Sequence, residues 1–87
     1  MNTLDSLRQE IDTIDKSIID QLKHRIAVAK VIGDYKKANN LPVYQPEREK
    51  LVIEAKRELA KQAGLDEELV EKLFTEIIKY CRKIQEP

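Results

Sequence analysis

From Leu4 to about residue 38 the chain has no proline and a single glycine, Gly33. Its apolar residues fall three and four apart: Leu4, Leu7, Ile11, Ile14 and Ile18, then Leu22, Ala29 and Ile32. That spacing is one face of an α-helix, and Asn2 or Thr3 suits its N-cap. About 35 helical residues reach roughly 52 Å. A compact fold of this size is only about 25 Å wide. Such a helix cannot bury its whole stripe against the rest of an 87-residue chain. A second copy of the chain is the simplest cover.

The remainder reads as two shorter helices. Residues 39–46, Asn-Asn-Leu-Pro-Val-Tyr-Gln-Pro, form the one clear loop, and Pro46 suits the first position of a new helix. Helix two is predicted over about 46–62, with Val52, Ala55 and Leu59 on its buried stripe and Leu51 beside it. Gly64 is its expected stop. Asp66 is a good N-cap for helix three, and Glu67 and Glu68 suit the positive end of that helix. Helix three runs to about 85, with Val70, Leu73, Phe74, Ile77, Cys81 and Ile84 on its inner side. The expectation is an all-α chain with one domain over residues 1–87.

Charge and cysteine usage narrow the function. Sixteen basic and sixteen acidic residues cancel, which argues against a nucleic-acid binder. No apolar run approaches the ~20 residues that span a bilayer. Asp5, Arg8, Glu10 and Asp12 interrupt any signal-peptide pattern. Cys81 is the only cysteine, so no disulfide forms within the chain, and a cytoplasmic setting is expected. His24 is the only histidine, with no cysteine cluster beside it. No metal is expected.

Polar residues occupy places where the stripe calls for apolar ones. Arg25 follows Ile18 by seven residues, and Lys36 follows Arg25 by eleven. Eleven residues return to within roughly 20° of the same face, about 16 Å further on. Two long side chains can converge over that gap and leave room for one small molecule. Arg48 lies one turn before Val52, and Gln85 one turn after Cys81. Three helices therefore each aim a polar group inward. Buried cations need a counter-charge; Glu49 supplies one, and a bound dianion would supply the rest. Periodicity alone leaves another reading open, in which these side chains snorkel from the stripe's edge into water. Arg8 is seventeen residues before Arg25, roughly 26 Å away along the helix. The two can share a small ligand only if two copies of the long helix pack antiparallel.

In order and spacing the chain resembles the all-helical chorismate mutases. The resemblance runs through Leu7-Arg8-Gln9-Glu10-Ile11-Asp12, Ile14-Asp15, Leu22 to Arg25, and Val31-Ile32-Gly33-x-x-Lys36. It continues through Pro42-Val43, Pro46-Glu47-Arg48-Glu49 and Phe74-x-x-Ile77-Ile78, and closes on Gln85. It implies an intertwined homodimer with two equivalent sites, each receiving Arg8 from the partner chain. The implied reaction is the unimolecular rearrangement of chorismate to prephenate, on the route to phenylalanine and tyrosine. It needs no nucleophile, metal or redox group.

The resemblance also implies roles. Arg8 and Arg25 would clamp the carboxylates of chorismate, and Lys36 and Gln85 would donate to its ether oxygen. Glu49 would accept from the ring hydroxyl, with Arg48 supporting the carboxylates and orienting Glu49. Gln45 stands where some relatives have Asp near that hydroxyl, and Cys81 where some have Ser near a carboxylate. A thiol is a weak donor, so a hydrogen bond is expected to be lost there. Two alternatives stay open: an isochorismate pyruvate lyase on the same fold, and a non-catalytic helical dimerisation or regulatory module. The order of the loop after Lys36 and the near-complete cage favour the mutase.

Overall fold

The computed structural model describes residues 3–87. Three helices follow one another: α1 over Thr3–Ala38, α2 over Pro46–Gln62 and α3 over Glu67–Gln85. Thr3 already lies within α1, so it is not the cap; Asn2 lies outside the described residues. There is no strand among the described residues, and the fold is all-α as expected.

Local chemistry sets the boundaries. At the end of α1, Asn40 adopts the left-handed conformation with φ 55°. The Leu41 N–H then donates to the Lys36 carbonyl at 2.8 Å, and the Asn40 N–H to that of Lys37 at 3.4 Å. This Schellman pattern satisfies carbonyls that the helix leaves free. It recurs after α2. Gly64 has φ 72°, Leu65 donates to the Ala60 carbonyl at 2.8 Å, and Gly64 to that of Lys61 at 3.2 Å. Pro46 opens α2, after Gln45 at φ −124° and ψ 83°, outside the helical region that a following proline disfavours. Asp66 caps α3, its Oδ1 accepting the Leu69 N–H at 3.0 Å.

α3 packs against both α2 and α1. Where it meets α1, small residues let the backbones approach: Ala29 and Gly33 are buried on one side and Cys81 on the other. A Cβ at Gly33 would lie 2.7 Å from Cγ of Gln85 and 3.2 Å from its Cβ. This glycine therefore serves close contact, whereas Gly64 has open space around it and serves its backbone angle.

Two expectations about facing are corrected. Ala55 and Leu59 are exposed, and so is Leu51 beside them. α2 instead buries Ala60 and half-buries Val52, Ile53 and Lys56, whose ammonium sits over the Phe74 ring. In α3, Leu73 is exposed, while Val70, Phe74, Ile77 and Ile84 are half-buried around buried Cys81. α2 turns Ala60 inward, and Ala55 and Leu59 lie on its exposed side.

The first half of α1 touches no other helix of the chain closely enough to be covered. Every residue from Thr3 to Gln21 is exposed, with Leu7 at 52% and Ile11 at 56%. The chain measures 57 × 25 × 15 Å. Its radius of gyration of 16.5 Å exceeds the about 12 Å of a compact chain of this length.

Candidate active site

The α1–α3 contact and the first turns of α2 surround a cavity of about 430 Å³. This is the usual size for a small-molecule site. Each wall comes from one element. α1 supplies Arg25, Ala29, Ile32 and Lys36 at helical spacing. The segment before α2 and its first turns supply Val43, Gln45, Arg48, Glu49 and Val52. α3 supplies Ile78, Cys81, Arg82 and Gln85.

Polar contacts knit these walls together. Lys36 Nζ donates to Oε1 of Gln85 at 2.8 Å and to the Val43 carbonyl at 2.9 Å. An ammonium carries three donors, so one is left for a ligand. The Gln85 amide is fixed from both ends: Oε1 accepts from Lys36, and Nε2 donates to the Ala29 carbonyl at 2.9 Å. Its second amide N–H is not used by either bond. Arg25 Nη1 donates to Cys81 Sγ at 3.3 Å. Cys81 thus acts as an acceptor that positions Arg25. Glu49 takes its ion pair from Arg82, whose Nη1 lies 3.0 and 3.2 Å from the two carboxylate oxygens. The Arg82 guanidinium also stacks on Tyr44, 4.4 Å from the ring centroid. Gln45 Nε2 donates to the Pro42 carbonyl at 3.2 Å, which stiffens the loop at the cavity's edge.

Charge is the distinguishing property. Arg25, Lys36, Arg48 and Arg82 line the cavity against one carboxylate, Glu49, although the whole chain is neutral. Such a site suits a small ligand with two negative charges, and its apolar walls (Val28, Ile32, Val52 and Ile78) suit a hydrocarbon ring between them. Among the described residues no three His, Cys, Asp or Glu side chains group closely enough to hold a metal ion.

Of the eight residues singled out in the sequence, seven line this one cavity: Arg25, Lys36, Gln45, Arg48, Glu49, Cys81 and Gln85. Arg48 does so while remaining exposed. Arg8, exposed near the start of α1, is not among the lining residues. Arg82 and Tyr44 were not anticipated. A signal for Arg82 exists in the sequence, because it precedes Gln85 by three residues and follows Ile78 by four, which is one helical face.

Comparison with known proteins adds to this geometry. The family model for chorismate mutase type II matches residues 7–86. The chain is 32% identical over 82 residues to the chorismate mutase of Methanocaldococcus jannaschii, covering 94% of this chain and 83% of that protein. It is 35% identical over 82 residues to the 4-amino-4-deoxychorismate mutase of Streptomyces venezuelae, covering 93% and 80%. It is 33% identical over 79 residues to the T-protein of Haemophilus influenzae, covering 91% of this chain and 21% of that protein. The chain thus spans about a fifth of the length of the T-proteins it matches.

Proposed function

The chain belongs to the chorismate mutase type II family, and on that premise we propose that it rearranges chorismate to prephenate in aromatic amino acid biosynthesis. The observation that carries this reading is the convergence of Arg25, Lys36, Arg48, Glu49 and Gln85 on one small cationic cavity.

A pericyclic rearrangement asks two things of a protein. The flexible substrate must be held in a compact, chair-like shape, which lowers the entropic part of the barrier. Negative charge that grows on the ether oxygen as its C–O bond breaks must also be met by preplaced donors. In this reading Arg25 binds a carboxylate, positioned by Cys81, and Arg48 adds charge at the rim. The free N–H of Lys36 and that of the Gln85 amide meet the ether oxygen. Because the two side chains are bonded to each other, both are aimed before substrate arrives. Glu49 accepts from the ring hydroxyl, and Gln45 lies close to the same edge.

The chain would work as a homodimer, with Arg8 of one copy completing the other's site. The exposed stripe of Leu4, Leu7, Ile11, Ile14 and Ile18 is the surface that such packing would cover. A single domain over residues 1–87 and a cytoplasmic location fit the same reading.

The test is turnover of chorismate by the purified chain, followed by loss of its absorbance, with isochorismate offered in parallel. Chorismate should be consumed and prephenate formed. Arg25→Ala and Lys36→Ala should each lower kcat/KM by about 100-fold or more, as removal of one charge-stabilising donor does. Preference for isochorismate with release of pyruvate would favour the lyase instead. Unchanged rates in both variants would sink the cage.

A further inference from the structure

Arg82 has no part in the roles set out so far, yet three elements meet on its side chain. It stands on α3, bonds both oxygens of Glu49 on α2, and stacks on Tyr44 of the α1–α2 connection. The Arg82 and Glu49 side chains are 28% and 26% exposed, so they are only partly screened by water. Glu49, Ile78 and Arg82 also line a second groove, of about 480 Å³, on the α2–α3 surface. The Arg82–Glu49 pair is thus part of the partition between groove and cavity, and a Glu49 without its arginine could swing to either side.

The geometry defines what Glu49 can offer. A carboxylate has about four acceptor sites, and Arg82 engages each oxygen once. Acceptor capacity remains for a hydroxyl, while the negative charge is already compensated. A neutral hydroxyl loses little by this. An ammonium group at the same place would meet the Arg82 guanidinium and a carboxylate whose charge is already matched. We infer that Arg82 is a positioning and specificity residue, which acts through Glu49 to favour a neutral ring hydroxyl over a cationic substituent at that position. The inference rests on the mutase reading above.

Steady-state kinetics on the full chain test it, with chorismate and with the analogue bearing an amino group in place of the ring hydroxyl. Arg82→Leu should lower kcat/KM for chorismate about tenfold, within the range for coupled neighbours. The loss on the amino analogue should be smaller, so that the preference for chorismate narrows. Arg82→Lys, which keeps the charge, should recover most of the loss. In a Glu49→Gln background, Arg82→Leu should change the rate less than about twofold, because the residue it acts through is already neutral. Equal losses in both backgrounds, or an unchanged preference between the two substrates, would overturn the inference. A wild-type chain inactive on chorismate would defeat the mutase reading itself. The stacking that holds Arg82 in place is then read by NMR: the Arg82 side-chain protons should be shifted upfield by the Tyr44 ring and lose that shift in Tyr44→Leu. Unshifted protons in the wild type would overturn Arg82 as a positioning residue.

Discussion

At the scale of single residues, Gly33 and Gln85 are matched across the α1–α3 contact. Gly33 leaves the space that Gln85 occupies. Gly33→Ala should therefore separate stability from activity. Alanine is the better helix former by about 1 kcal/mol, so urea unfolding should show little loss. Its Cβ would push the Gln85 side chain aside, and kcat should fall about tenfold or more, since small displacements of catalytic groups are costly. Gln85 carries a pH prediction. A glutamine amide does not titrate, so it can donate at any pH between about 6 and 8. Gln85→Glu can donate to an ether oxygen only when protonated, and a glutamate is ordinarily protonated only below about pH 4.3. Turnover of that variant should fall as pH rises, while this step in the wild type stays flat. A steep fall in the wild type with its fold intact would remove Gln85 as the ether donor. Arg25, Lys36 and Gln85 could be picked out in the sequence because each interrupts or extends an apolar stripe. Arg82 was hidden because a basic residue in the last turn of a helix is expected anyway, for its favourable interaction with the helix dipole. Its role depends on Glu49 and Tyr44, which are 33 and 38 residues away in sequence.

At the scale of elements, boundaries could be read closely, while facing held along α3 except at Leu73 and failed at Ala55 and Leu59 of α2. Pro46, Gly64 and Asp66 act through their own backbone and near neighbours, so their effects are written locally. Gly64 has nothing near its missing Cβ and matters through φ alone. Gly64→Ala should destabilise the chain by about 1 kcal/mol, the ordinary penalty for a left-handed residue with a Cβ. Chemical denaturation should show that loss with kcat unchanged, the opposite pattern to Gly33→Ala. Periodicity does not single out the inward side of α2, because Ala55 and Leu59 are apolar like the residues that do pack. The face that packs holds Val52, Ile53, Lys56 and Ala60, a choice made by packing against α3 that periodicity does not encode.

At the scale of the whole molecule, one chain leaves much of its apolar surface exposed. Among the described residues the buried ones are Ala29, Gly33, Ala60 and Cys81, and no large side chain is fully buried. The accessible surface is 7259 Å², against about 5,300 Å² for a compact monomer of this mass. An excess of roughly 2,000 Å² per chain is what one partner of a large obligate interface contributes. Burying one large apolar side chain is worth about 1.5–3 kcal/mol, and Leu4, Leu7, Ile11, Ile14 and Ile18 all remain available. The exposed stripe follows from the length of α1, which outruns the rest of the chain. If each site takes Lys36 from one copy and Arg8 from the other, two crippled chains can repair each other. Arg8→Ala and Lys36→Ala should each be nearly inactive on chorismate. After the two are mixed, unfolded and refolded together, random pairing makes half the dimers mixed, and each mixed dimer holds one intact site. About a quarter of wild-type activity should return. A mixture that stays at the average of its two parents would contradict the shared cationic cage.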